Sequence, residues 1–191
     1  MSVSSAIFYA LITLLLIYGV VVYNGLVRLK HNVARAWANI DVLLKQRHDE
    51  LPKLVEVCRQ YKQFEQATLA RVTEARASVA AARERHDVPA LGAAESLLRA
   101  GLSRIFAVAE AYPELKANEH FMQLQSRITA LENGVADRRE LYNESVNVHN
   151  VRVEQFPDLL VARMFGFIPQ PLLEFASSEK ADVDLKALFK A

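Results

Sequence analysis

The chain has 191 residues, 23 basic against 22 acidic, and a formal net charge of +1. That balance excludes the basic stripe with interleaved aromatics by which proteins recruit nucleic acid. A single cysteine, Cys58, excludes an intrachain disulfide and any paired-cysteine metal motif, and leaves the redox setting open.

Charge is spread unevenly. No charged side chain precedes Arg28, after which Lys30, His31 and Arg35 follow closely. Residues 6–23 are apolar apart from Thr13 and the tyrosines, and the run extends to Val27. About 20 helical residues cross a ~30 Å hydrocarbon core, so residues 6–27 read as a transmembrane helix. Residues 1–5 are then a short external N-terminus. The membrane anchor is assigned to Ala6, Leu11, Leu14, Leu15, Leu16, Ile17, Val20, Val21 and Val22, and the lipid bilayer is the first expected partner. Tyr9, Tyr18 and Tyr23 are weak interfacial anchors. A signal peptide would carry basic residues before the run and a small-residue cleavage site after it. Neither is present, so the span is expected to stay as an anchor. Positive residues remain on the inner side. Residues 1–5 are accordingly expected outside and residues 24–191 in the cytoplasm, the alternative being the reverse insertion.

Beyond the span the apolar period is helical throughout. Leu26, Leu29, Val33, Ala36, Ile40 and Leu43 begin a stripe that resumes at Leu51, Leu54, Cys58 and Tyr61 and continues less cleanly to Val79. Leu91, Leu98, Leu102 and Ile105 mark a second segment. The third is the cleanest, from Phe121 through Ile128, Val135, Tyr142 and Val146 to Phe156. Alternating steps of three and four put each set on one face. Period-2 alternation is absent, so the fold class is all-α: an N-terminal transmembrane helix continuing into a long antiparallel three- or four-helix bundle over residues 28–175.

Punctuation sets the boundaries. Asp87 can cap a helix with Pro89 in its first turn. Pro113 breaks the next segment, Asn118 opens the third, and Phe156-Pro157 ends it. Pro52 either kinks a continuous helix or lies in the first turn of a new one capped by Asp49. As one helix, residues 24–86 would reach about 95 Å. The proximal stripe of Leu26, Leu29, Val33, Trp37, Ile40 and Leu44 would then stand uncovered. Stripes of that size rarely stay in water. A long kinked first helix with neighbouring copies covering the stripe is the expected arrangement, and a homo-oligomer the expected state.

Several blocks have a familiar order. Ala36-Trp37-Ala38-Asn39-Ile40-Asp41-Val42 is followed by Arg47-His48-Asp49-Glu50-Leu51-Pro52-Lys53-Leu54. Ala111-Tyr112-Pro113-Glu114-Leu115-Lys116-Ala117-Asn118-Glu119, Tyr142-Asn143, Phe156-Pro157 and Phe165-Gly166-Phe167 come after them. Over about residues 20–167 the chain resembles the LemA family of bacterial membrane proteins. It departs from the family pattern at Leu43, Gln46 and His149, and the tail past Pro169 looks peculiar to this chain. The resemblance implies a membrane helix, a cytoplasmic helical bundle, and no established enzymatic activity. Family members often have genes beside those of membrane metalloproteases or small membrane-anchored partners, which implies adaptor work.

The residues themselves point away from catalysis. There is no phosphate-binding Gly-rich loop, nucleophile elbow or His-Glu-x-x-His, and no two histidines stand at i, i+4. Neither an enzyme, a cofactor, a metal nor a small-molecule substrate is expected. Arg47 and Asp49 read as capping or interhelical ion-pair residues. His149, on the core stripe, reads as a hydrogen-bonded core histidine. Tyr142 reads as core with a bonded hydroxyl, and Asn143 and Asn150 as bonding across helices.

Candidate oligomer or partner contacts are Leu29, Val33, Trp37, Ile40 and Asp41 in the proximal stripe, with Phe156, Phe165 and Phe167 in the apolar segment after Pro157. For Trp37 the alternative is ordinary bundle packing. For residues 156–167 it is capping of the bundle end, against a surface for a sister copy, a partner or the bilayer interface. Residues 176–191 are expected to be a mobile tail or a short docking helix. The expected function is a scaffold or adaptor that oligomerises at the bacterial inner membrane and contacts other membrane or envelope proteins, a membrane protein being the possible client. The alternative is a structural protein whose self-assembly shapes or stiffens the membrane without a partner.

Overall fold

A computed structural model describes residues 3–61 and 64–174 of the chain. The expected tail at residues 176–191 lies outside the described residues. Every regular element among them is a helix: α1 Val3–Arg59, α2 Gln66–Glu84, α3 Val88–Ala109, α4 Pro113–Lys116, α5 Glu119–Glu154 and α6 Asp158–Met164. Contacts group the chain into two compact units. The first joins Met1–Leu43 to Gly134–Leu172, and the second joins Leu44–Asn133 to the stretch from Leu173.

α1 continues through Pro52 to Arg59, so the chain does not turn back there. A proline inside a helix strands the carbonyl four residues earlier. Here that carbonyl belongs to His48, and the Arg76 Nε–H of α2 donates to it at 3.0 Å. Arg76 thus replaces the donor that Pro52 lacks. Asp49 lies exposed in mid-helix and caps nothing, contrary to one of the readings of Pro52.

The first helix does not run to residue 86 as expected. It stops at Arg59, without Gly or Pro at the break. Tertiary contacts hold the corner instead. Phe64 is buried and lies 5.9 Å from the Tyr112 ring, while the Tyr61 hydroxyl sits 3.4 Å from both the Glu114 carbonyl and Asn118 Nδ2. Burying an aromatic outweighs the modest preference of this stretch for staying helical.

α2 ends in a Schellman motif. His86 is left-handed (φ 53°), its N–H donates to the Arg83 carbonyl at 3.1 Å, and the Asp87 N–H donates to the Ala82 carbonyl at 3.0 Å. Asp87 then caps α3 by accepting from the Ala90 N–H at 3.0 Å. Asn118 caps α5 in the same way, accepting from the Phe121 N–H at 3.1 Å. Both caps fall where the sequence placed them. α2 and α3 pack closely because α3 presents Gly101, where a Cβ would fall 2.7 Å from Val72 Cγ2.

The proximal stripe is covered within the chain. Leu26, Val33 and Ile40 are buried in the first unit, which brings residues 134–172 against them. The expectation that neighbouring copies cover this stripe is therefore corrected. With α1 ending at Arg59, α5 reaches back far enough to do so.

Candidate functional site

In the first unit, the N-terminal half of α1 differs from every other helical surface. It holds the chain's one stretch, among the described residues, long and apolar enough to cross a membrane, and only 6% of that stretch is buried. Ala6, Leu11, Leu14, Leu15, Leu16, Ile17, Val20 and Val21 are all exposed, as an anchor requires. Val22 is the exception. It forms a buried cluster with Leu26, Val153 and Ala162, against which Val161 and Phe167 pack. α5 and α6 cover that face of α1.

α6 is held beside α1 by a saturated carboxylate. Asp158 is almost wholly buried. It accepts from the Tyr18 hydroxyl at 3.1 Å and from Gln155 Nε2 at 3.1 Å, and it pairs with the Arg152 guanidinium. A second Schellman motif closes α6. Gly166 takes a left-handed φ of 72°, and the Phe167 N–H donates to the Ala162 carbonyl at 2.9 Å. That turn sends Phe167 inward and sets Phe165 and Phe167 about the Tyr23 ring, at centroid distances of 4.7 and 5.9 Å. Gly166 is what a left-handed position favours. Gly166→Ala is expected to lower stability by about 1 kcal/mol, since an L residue resists that region by roughly this amount; denaturant unfolding of the purified chain checks it.

Past α6 the backbone is extended and clamped to α5. The Gln170 N–H donates to Asn150 Oδ1 and Asn150 Nδ2 donates to the Gln170 carbonyl, each at 2.8 Å. The Tyr142 hydroxyl donates to the Pro171 carbonyl at 3.1 Å, as expected of a core tyrosine, and burial raises its pKa. Asn150 thus bonds to an extended strap where a partner helix was expected. His149 is buried on the core stripe, with Nδ1 3.3 Å from Asn150 Oδ1.

The candidate contact residues part company. Val33 and Ile40 are buried, and Leu29 and Asp41 are half-buried. Trp37 is half-buried with its ring 5.7 Å from that of Tyr142, which is the bundle-packing arrangement. Phe156 and Phe165 are exposed, and Phe167 is half-buried.

The second unit contains a buried charge network that joins three helices. Arg47 of α1, 1% exposed, pairs with Glu95 of α3 and Glu132 of α5, and Glu132 also accepts from Arg99 Nε at 3.2 Å. Burial works against the Arg47 charge, and the two carboxylates more than offset it, holding its pKa above the ordinary arginine value. Burial pushes the Glu95 carboxyl up, opposed by Arg47. The interhelical ion-pair reading of Arg47 holds. Its partners were missed, although Glu95 falls on the same face as Leu91, Leu98 and Leu102, and a charge at core register is the signal that marks them. Nearby, Glu50 pairs with Arg127 of α5 at 2.9 Å. Cys58 is buried, with its thiol pushed up to about 12, and is chemically inert.

His48 couples the stability of this unit to pH. Arg76 Nη2 lies 2.7 Å from His48 Nε2. Burial and the Arg76 charge both lower the His48 pKa. The folded state therefore binds fewer protons than the unfolded one below the unfolded pKa of ~6.5, and stability falls as pH drops from there toward the folded pKa. His48→Gln is expected to flatten this part of the profile, which unfolding midpoints at pH 7.5, 6.5 and 5.5 would reveal.

Among the described residues, no three His, Cys, Asp or Glu side chains stand together as a metal site would need. What this geometry offers is an apolar anchor, a helical body locked by buried ion pairs, and exposed apolar surface.

Comparison with known proteins agrees with that description. The chain is 25% identical to Protein LemA of Metamycoplasma hominis, over 86% of its own length and 74% of the relative's. It is 21% identical to Magnetosome protein MamQ 2 of Paramagnetospirillum magneticum and to Magnetosome protein MamQ of Magnetospirillum gryphiswaldense. Those matches cover 76% of this chain and 62% of each relative, so the chain spans less than two thirds of the MamQ proteins. The LemA family model matches residues 36–186, which takes in most of the tail past Pro169 and corrects the view that this tail is peculiar to the chain. A helical chain with one apolar N-terminal helix that fits a membrane anchor, matched by that model over more than half its length, belongs to the LemA family.

Proposed function

We propose that this protein is a membrane-anchored, non-enzymatic scaffold that self-associates at the bacterial inner membrane and positions other membrane or envelope proteins. Residues 1–5 lie outside and the helical body lies in the cytoplasm, following the excess of positive charge after the span. The observation that carries the contact role is a second apolar stripe on α5. Leu141, Val148 and Val151 are each about half exposed. At 100° per residue their mean direction lies about 140° around the helix from that of Tyr142, Val146, His149 and Val153, which face the core. A helix with two apolar faces buries one in its own unit and offers the other to another chain. The likeness to LemA and to magnetosome proteins, none named for a reaction, supports the non-enzymatic reading.

The test is photocrosslinking in intact cells from residues 141 and 148, read by mass spectrometry. Crosslinks from 148 to a second copy, with one distinct membrane protein captured in addition, are the expected result. Crosslinks to this chain alone would favour the structural reading, in which self-assembly shapes or stiffens the membrane without a client. Absence of both would remove the contact role altogether.

A further inference from the structure

We infer that α6 and the Phe165-Gly166-Phe167 turn form a second membrane contact, lying in the interfacial layer of the bilayer beside the anchor helix. The inference rests on the reading that α1 inserts, and it goes beyond it by assigning the lipid surface as the occupant of residues 156–168. The level of the segment is set by side chains in the first unit. Tyr18 bonds to Asp158, Tyr23 meets Phe165 and Phe167, and Val22 and Leu26 pack on Ala162. All four α1 residues precede Arg28, the first charged residue of the chain. Tyr18 to Val27 is about 13 Å of helix axis. A segment tied to that stretch from the side therefore lies at or below headgroup depth once the anchor is in place.

Its composition suits that position. Phe156, Leu160, Met164, Phe165 and Ile168 are between 56% and 78% exposed, a set of large apolar side chains that water would not tolerate well. Tyr23 of α1, itself exposed, joins this surface through its contacts with Phe165 and Phe167. The charge it carries inward is already neutralised: Asp158 is buried and bonded to Arg152, Tyr18 and Gln155, so no unpaired carboxylate meets the lipid. Arg163 is exposed at the end of α6 and has the length to reach the headgroups. Apolar bulk on one side with a basic residue at its margin is the pattern of an element that lies in the plane of the interface.

Depth-resolved quenching tests this on the full chain in phosphatidylcholine–phosphatidylglycerol vesicles. Single cysteines at 14, 97 and 164, in a Cys58→Ala background, carry an environment-sensitive fluorophore. Leu97 is an exposed apolar side chain of the second unit and serves as the aqueous reference. The probe at 164 is expected to be quenched by lipids with a shallow acyl-chain nitroxide, and several-fold less by aqueous iodide than the probe at 97. The probe at 14 is expected to respond to a deep nitroxide. If 14 responds while 164 behaves like 97, the anchor stands and the second contact is overturned. Protection of 164 from both lipid and iodide would show a covering protein chain and overturn it equally. If 14 fails to respond, anchor and contact fall together.

Discussion

Arg47→Met is expected to lower the unfolding free energy by about 3–5 kcal/mol, the range for breaking a buried ion pair from one side. The loss falls on Glu95, 3% exposed, whose guanidinium partner disappears, whereas Glu132 keeps Arg99 at 3.2 Å. Burial already pushes the Glu95 carboxyl up against the pull of Arg47. Without Arg47 the folded state takes up a proton at Glu95 that the unfolded state releases near its ordinary pKa of ~4.3. The deficit should therefore be smaller at pH 5 than at pH 8. Adding Glu95→Leu should recover most of the loss, because apolar residues of similar volume commonly replace a buried pair at little cost. Denaturant titration of the detergent-solubilised chain, followed by circular dichroism, measures both variants against the native chain. A double variant no more stable than Arg47→Met would show that the cost does not reside in stranding Glu95.

Introducing two charges into the anchor should have the other large effect. Leu14 and Leu15 are exposed near the middle of the apolar run. Each arginine at the centre of a spanning helix costs about 2.5–3.5 kcal/mol, so Leu14→Arg with Leu15→Arg opposes insertion by about 5–7 kcal/mol. The double variant should leave the carbonate-washed membrane pellet, while Leu141→Arg with Val148→Arg, on the outward face of α5, should remain in it. Retention of the anchor variant in the pellet would contradict the assignment of residues 6–27 as the span. The two experiments separate the parts of the molecule. The first probes the second unit without touching the anchor, and the second removes the anchor while leaving the buried charges in place.

Much of the fold was legible because it rests on local rules. The apolar run before Arg28, the helical period of α3 and α5, and the caps at Asp87 and Asn118 each depend on residues within a turn or two of one another. Gly166 stood in the sequence as the centre of the Phe165-Gly166-Phe167 block, and the structure adds that it closes a left-handed turn. Arg47 was legible as an ion-pair residue by its type, and its partners could have been sought among charges in core register. Trp37 was weighed between packing and partner contact, and its approach to Tyr142 came from a pairing more than 100 residues away in the chain.

The sequence alone determined the class: an all-helical chain with one apolar anchor and LemA family membership, because periodicity, charge asymmetry and motif order are properties of neighbouring residues. Tertiary structure alone decided the path. The break after Arg59 has no Gly or Pro to announce it and exists because Phe64 finds a buried place against Tyr112. The passage through Pro52 depends on Arg76 donating to a carbonyl of another helix. Val22, in the apolar run of the anchor, is buried because α5 and α6 return to it. Each outcome is set by burial or by a hydrogen bond between residues distant in sequence, and such partners exist only once the chain has folded.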